Sequence, residues 1–351
     1  MLSQRLASES ETFTAKEIIL PGIVEPDGLI IRDRTLASPS AGKVIVKVEA
    51  CGISFAEQAM RLDRYPGQPK FPFVPGYDLV GTVVAVGSDV NTLLIAKRFA
   101  VLTKQGGWAS YATVTTEDLL PIPESIDPAE AETLIVNGIT AWQMLHRKAK
   151  VKKGQIIFVH GANGGVGTIL TQLAQIAGVR VIGASSPKHH EALRKQGVIL
   201  VDYNDKNLAQ SVRNLALPDG VDAIFDNIGG KSIDVLFSLL NKGATLVSYA
   251  IVSEIKGKKS MVLKFIVLLS KLLWLNILPN GRKTTFYNIW SGKGTKKFRS
   301  QMQEDFKEVT ALLAKRILKS QIAAKFPLTQ IAKAMELAES RTVYGKVVLI
   351  P

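Results

Sequence analysis

Residues 155–178 read QIIFVHGANGGVGTILTQLAQIAG, and their order decides the fold. Ile156, Ile157, Phe158 and Val159 make an apolar run of strand formers. It enters a glycine turn at Gly161, Gly164, Gly165 and Gly167. A helical pattern follows, with Ile169, Leu170, Leu173 and Ile176 on one face and Gly178 as a stop. A turn with little side-chain bulk lets backbone N–H groups approach a pyrophosphate, and the positive end of the helix dipole faces the same anion. A glycine cluster alone can be just a tight turn. Strand, glycine turn and helix in succession are the context of a dinucleotide cradle.

Around this unit the pattern alternates. Strand VRVIGAS, helix KHHEALRKQG, strands VILVDY and VDAIFDNIG, helix SIDVLFSLL and strand ATLVSYA argue a doubly wound parallel sheet, a Rossmann domain spanning 129–290. The amino-terminal part differs: KEIILPG, GLIIRD, KVIVKVEA, GTVVAVG, RFAVL and WASYATV are short strands with Pro and Gly turns, the style of a partly open β barrel. KTTFYNIW reads as one more strand, 297–318 as a long helix, and 328–350 as a closing helix and strand. The barrel domain is thus expected from both ends of the chain, 1–128 and 291–351. A length of 351 residues suits two domains.

Composition narrows the class. A hydrophobic content of 46% with 21% charged residues describes a folded protein with a sizeable core. The single Cys51 excludes a disulfide framework and fits a reducing, cytoplasmic compartment. The four histidines are too scattered to suggest a metal cage. The start, MLSQRLASESETFTAK, lacks the apolar core of a secretory signal, and its Ser and Arg content leaves an organelle transit peptide open.

The net charge of +14 is concentrated. Residues 251–300 hold eleven Lys or Arg and one acid, Glu254. Inside lies MVLKFIVLLSKLLWLNIL, residues 261–278, too interrupted by Lys264 and Lys271 to span a bilayer. Two readings stay open for the segment 256–299. One is a buried helix or oligomer contact, and the other is a helix on an anionic membrane surface. Nucleic acid is not expected, since no recognition motif accompanies the charge.

Taken together, KVEACGISFAEQAMR, FPFVPGYDLVGTVVAVG, NGITAW, VHGANGGVG and the terminal YGKVVLIP resemble the medium-chain dehydrogenase/reductase superfamily. Within it the chain is similar to the zinc-free quinone oxidoreductase branch, which includes zeta-crystallin and the vesicle amine transport protein-like reductases. The resemblance implies a GroES-like barrel domain beside the Rossmann domain, an enzyme, and a homodimer joined at a strand edge such as KTTFYNIW. In zinc-dependent members of the superfamily a Cys, a His and a further Cys or His hold a catalytic metal. Here those segments carry Ser54, Tyr77 with Asp78, and Val136, so no metal is expected. Without a Lewis acid, hydride transfer suits an acceptor that is already electron-poor, a quinone or an α,β-unsaturated carbonyl. The rivals are reduction of an enoyl thioester and, in another class, a membrane-associated nucleotide-binding interaction protein.

Site residues follow from both sources. The turn residues Gly161, Ala162, Gly164, Gly165 and Val166 are expected to hold the pyrophosphate. The second strand ends in Ser185-Ser186-Pro187-Lys188, with no carboxylate before Glu191. Lys188 can meet a 2′-phosphate, so NADPH is the expected cofactor. The resemblance adds Tyr203 beside that phosphate, Thr140 facing the nicotinamide, Asn227 at a strand end over the cofactor, and Lys346. It also makes Ser54 a candidate hydrogen-bond donor, with Tyr65 and Arg61 at the substrate mouth. His160 reads as a satisfied core residue, and His189 and His190 as a helix start at the surface.

Overall fold

The computed structural model describes residues 12–216, 220–230, 232–254 and 261–351. Residues 1–11, on which the transit-peptide reading rests, and Lys256, Lys258 and Lys259 of the basic segment lie outside these residues. β1 (Phe13–Ile19) and β2 (Ile30–Leu36) pair with each other. β3 (Lys43–Ile53) leads into the short helix α1 (Phe55–Arg61), and β4 (Asp78–Val86), β5 (Arg98–Leu102), β6 (Tyr111–Thr115) and β7 (Leu119–Pro121) follow. From α2 (Pro128–Glu132) through α3 (Ile139–Trp142) to Ala149 the chain is helical, with wider π turns at Leu134–Gly138 and Gln143–Ala149.

The glycine unit then opens the second domain: β8 (Ile156–His160), α4 (Gly165–Ile176), β9 (Arg180–Ser185), α5 (His190–Lys195), β10 (Ile199–Asp202), α6 (Leu208–Leu215), β11 (Val221–Asp226), α7 (Ser232–Ser238), β12 (Leu240–Ser248), α8 (Met261–Ile277) and β13 (Lys283–Phe286). Its six strands lie in the order β10-β9-β8-β11-β12-β13 and are all parallel. Alternate residues of β8 feed opposite faces, Ile157 and Val159 into one cluster and Ile156 and Phe158 into the other. That is why the strand reads as a continuous apolar run. The strand order reverses between β8 and β11, and in such sheets the crevice beyond the carboxyl ends at that point takes the ligand.

After β13, α9 (Lys296–Ala314), β14 (Ile322–Pro327), α10 (Ile331–Glu339) and β15 (Lys346–Ile350) close the chain. β15 pairs with β3, so a seven-stranded sheet takes strands from 43–121 and from 322–350. The fold is the expected α/β architecture, a GroES-like domain and a Rossmann sheet. Two details differ. KTTFYNIW is strand only over Lys283–Phe286; Tyr287 N–H still donates to the Ser248 carbonyl at 2.8 Å, and Tyr287 and Ile289 are buried in the core. β14 went unanticipated; it lies at the sheet edge and lacks a clean alternating pattern.

Candidate active site

The glycine turn is built by exclusion. Gly161 has φ +84°, in the left-handed region, and a Cβ there would lie 2.6 Å from the Asn227 amide. A Cβ on Gly167 would lie 2.3 Å from the Gly161 carbonyl oxygen, backbone against backbone. One on Gly165 would meet Asn137 Nδ2 at 2.5 Å. Ala162, buried, donates its N–H to the Ala184 carbonyl at 3.0 Å, and Gly164 takes the N-cap position of α4. Gly165 and Val166 therefore open the first helical turn, whose N–H groups have no acceptor within the helix. At the ends of β11 and β12, Asn227 Oδ1, Ser248 Oγ and the Tyr249 hydroxyl are buried without a partner among the described residues. Buried polar atoms are seldom left so, and a water, an ion or a polar ligand can satisfy them. The cradle thus fits a dinucleotide.

At the next strand end, Tyr203 N–H donates to the Ser185 carbonyl at 3.1 Å, which brings Ser185, Lys188 and Tyr203 onto one rim. Ser185 is buried, whereas Lys188 and Tyr203 are exposed. Asp202 also reaches this rim, opposite Ser185, and its carboxylate accepts the Asn204 N–H at 3.0 Å. His160 donates or accepts at Asp226 Oδ1, 2.8 Å away, within the sheet. His189 is buried against Tyr344, not at the surface, because the turn that precedes α5 folds it inward.

Asp78, Glu132 and Lys346 form a buried ionic group. The Lys346 ammonium lies 2.8 Å from Asp78 Oδ2 and 2.5 Å from Glu132 Oε1, and all three are buried. Burial alone would lower the lysine's proton affinity, but the two carboxylates outweigh it and push it up. Burial, with Asp78 beside it, raises the Glu132 carboxyl well above its ordinary range. Val136 N–H donates to Asp78 Oδ2 at 3.2 Å, which ties this group to the helical run behind the glycine turn. Lys346 is therefore a buried counter-ion and not a side chain free to reach a cofactor, a correction to its expected place.

Two further corrections concern the substrate mouth. Ser54 is the N-cap of α1: its hydroxyl donates to Glu57, and its oxygen accepts the Ala56 N–H at 3.1 Å. Its hydrogen is already given away inside the capping box, so it is not available to an oxyanion. Arg61 is buried, with Nε and Nη2 on Glu339 at 2.8 and 2.6 Å and Nη1 on the Val24 carbonyl. It ties α1 to α10 from within the protein.

Tyr65 keeps an accessible place. It is half-buried, and its hydroxyl lies 2.5 Å from that of Tyr77. Tyr77 in turn accepts the indole N–H of Trp290. Burial raises both phenols above the ordinary tyrosine range. Tyr77 is itself buried and accepts from Trp290, and either hydroxyl of the Tyr65–Tyr77 pair can be the donor. Thr140 is buried next to Tyr287, whose hydroxyl donates to Gln143 Oε1 at 2.9 Å.

The three segments that hold zinc in zinc-dependent relatives do not fit one here. Ser54 caps α1, Tyr77 is tied to Tyr65 and Trp290, and a lysine ammonium stands between Asp78 and Glu132. Among the described residues no group of three His, Cys, Asp or Glu side chains could hold a metal ion. The sequence pointed to neither Tyr77 nor Trp290 as partners, and nothing local could have paired residues so far apart.

Residues 40–124 match the family model described as alcohol dehydrogenase GroES-like domain, and residues 196–349 match that described as zinc-binding dehydrogenase. The human synaptic vesicle membrane protein VAT-1 homolog is 28% identical over 345 residues, covering 95% of this chain and 86% of its own length. A quinone oxidoreductase of Rattus norvegicus is 27% identical over 326 residues, covering 91% and 92%. A mycobacterial structure solved in complex with NADPH superposes with a TM-score of 0.82 at 25% identity, covering 96% of this chain and 100% of that one. The chain belongs to the medium-chain dehydrogenase/reductase superfamily, on the branch of the quinone oxidoreductases and VAT-1 homologues.

Proposed function

We propose that this protein is an NADPH-dependent, zinc-independent reductase that passes a hydride to a quinone or an α,β-unsaturated carbonyl. The observation that carries this reading is the glycine cradle with Asn227 against Gly161 and its buried Oδ1 left unpartnered among the described residues. Relatives named quinone oxidoreductase and a related structure holding NADPH support it. The bound nicotinamide supplies the hydride. Gly161 to Val166 seat the pyrophosphate, Thr140 and Asn227 border the nicotinamide half, and Ser185, Lys188 and Tyr203 receive the 2′-phosphate. As charge develops on the acceptor oxygen, Tyr65 donates a hydrogen bond to it, a task a metal performs elsewhere in the superfamily. The unit in solution is a homodimer paired at the β13 edge, and its compartment is the cytoplasm.

Stopped-flow oxidation of NADPH with a naphthoquinone, an alkenal and an enoyl thioester tests the reading. Turnover of the first two is expected. Turnover of the thioester alone would move the protein to enoyl-thioester reduction, and tight NADPH binding with no turnover would remove the enzyme. Tyr65→Phe should lower kcat by about tenfold to hundredfold and leave NADPH affinity unchanged, as removal of a transition-state donor does. Lys188→Glu should weaken NADPH by roughly tenfold to hundredfold, the worth of one charge-assisted contact, and leave NADH unaffected in a fluorescence titration.

A further inference from the structure

Asn137, Thr140, Gln143 and Arg147 follow one another at spacings of three, three and four, so the helical run from Leu134 to Ala149 carries one polar stripe. Its first member lies against the cradle, since a Cβ on Gly165 would meet the Asn137 amide. Thr140 and Gln143 are buried, as are Tyr287, just beyond β13, and Asp305 on α9. Burying four polar side chains is costly unless each finds a partner. Here they find one another. Gln143 Nε2 donates to Asp305 Oδ2 at 2.7 Å, and the Tyr287 hydroxyl donates to Gln143 Oε1 at 2.9 Å. Arg147 closes the far end, with Nε and Nη2 on Asp305 Oδ1 at 2.9 and 2.7 Å, and Nη2 also reaches the exposed Glu304 at 3.1 Å.

The charged end gives this chain of bonds a direction. Arg147 forks onto the Asp305 carboxylate, and a carboxylate only accepts, so Gln143 must turn its NH2 group there. The Gln143 carbonyl oxygen then faces Tyr287 and takes its hydrogen. With that hydrogen committed, the Tyr287 oxygen is left to accept from Thr140. Burial raises the Tyr287 phenol above the ordinary tyrosine range, and the Thr140 hydrogen bond opposes the rise, as a bond donated to the phenol oxygen does. The Thr140 hydroxyl thus directs its one hydrogen into the protein. Only its lone pairs remain for a ligand.

We infer that Arg147, Asp305, Gln143 and Tyr287 are positioning residues that together make Thr140 a fixed hydrogen-bond acceptor for a donor on the nicotinamide half of the bound cofactor. This rests on the hydride-transfer reading, which sets that half at Thr140. Its donors are the carboxamide N–H and the ribose hydroxyls. A double-mutant cycle on the full chain tests the inference, with Kd measured by isothermal titration for NADPH and for 2′,5′-ADP, which lacks the nicotinamide half. Thr140→Val and Tyr287→Phe should each raise the NADPH Kd by roughly tenfold, as loss of one hydrogen bond does, and leave 2′,5′-ADP unchanged. The double variant should lose no more than either single one, because Tyr287 acts through Thr140. Gln143→Met, which takes the acceptor from Tyr287, should raise the NADPH Kd in the same way and serves where Tyr287→Phe does not fold. An NADPH analogue with an acetyl group in place of the carboxamide tells the two donors apart. If its Kd is insensitive to Thr140→Val the donor is the carboxamide N–H, and if it rises as that of NADPH does the donor is a ribose hydroxyl. Single effects that multiply in the double variant would overturn the inference. So would an unchanged NADPH Kd in Tyr287→Phe or Gln143→Met, or a 2′,5′-ADP Kd that rises alongside. Wild type that oxidises NADPH while the cycle fails would lose this inference alone, whereas wild type that does not bind NADPH would lose the hydride-transfer reading with it.

Discussion

Gly167→Ala is expected to raise the Kd for NADPH by about hundredfold or more, in line with the cost of a small misplacement at a reacting site. The reason is local and steric. The added Cβ would lie 2.3 Å from the Gly161 carbonyl oxygen and 2.9 Å from Ala162, both backbone, so no side chain can swing aside. The start of α4 must move away from the turn, and with it go the first-turn N–H groups that face the pyrophosphate. Overpacking of this kind also costs about 1–3 kcal/mol of stability. Isothermal titration on the folded variant separates the two effects. An unchanged Kd would mean that the dinucleotide does not rest on this turn. Gly22→Ala is the control, because it lies outside the turn and its Cβ would meet no atom within 4 Å.

Lys346→Met should destabilise the protein by about 3–5 kcal/mol near neutral pH, the cost of leaving buried charge without its partner. Asp78 and Glu132 would then face each other with no cation between them, and a buried carboxylate has no water to fall back on. The sign with pH follows from protonation. In wild type the lysine's raised proton affinity contributes stability that is present below its unfolded value of about 10.4, and it is lost only as pH rises through the higher folded one. In the variant, protonating Glu132, whose carboxyl burial and Asp78 already raise well above its ordinary range, relieves the repulsion, so the deficit should shrink as pH falls from about 8, before the ordinary carboxylate range is reached. Urea unfolding at several pH values measures it. A deficit that does not change with pH would show that packing, not charge, is what Lys346 supplies. Adding Glu132→Gln to the variant should restore part of the loss at neutral pH.

Much of the architecture could be read from the sequence because its cues are local. The run Ile156 to Val159 and the glycines after it carry strand, turn and helix within one short segment. The alternating pattern from 179 to 248 carries the parallel sheet in the same way. What escaped depends on which way a side chain points and on distant partners. Arg61 sits on an ordinary helix pattern, and only the fold brings Glu339 against it. Lys346 looks like a strand-edge lysine until β15 pairs with β3 and carries it over Asp78 and Glu132. Ser54 looks like a free donor by itself, but Glu57 three residues on completes a capping box that is legible in the sequence. Tyr77 stands in sequence only as a position without a metal ligand, and the fold alone brings Tyr65 and Trp290 to its hydroxyl. For the apolar run 261–278 the sequence supplied hydrophobicity on every face. It could not say that one side would be covered by the sheet and the other left bare.

The central claim is that NADPH gives its hydride directly to an electron-poor acceptor, with Tyr65 as the hydrogen-bond donor. Incubation of the protein with an enone and NADPH deuterated at the transferable C4 position, followed by mass analysis of the product, tests it most directly. The expected product carries deuterium on the carbon β to the carbonyl, with a matching loss of label from the nicotinamide. Reduced product without the label, or no reduction by protein that binds NADPH, would contradict the claim.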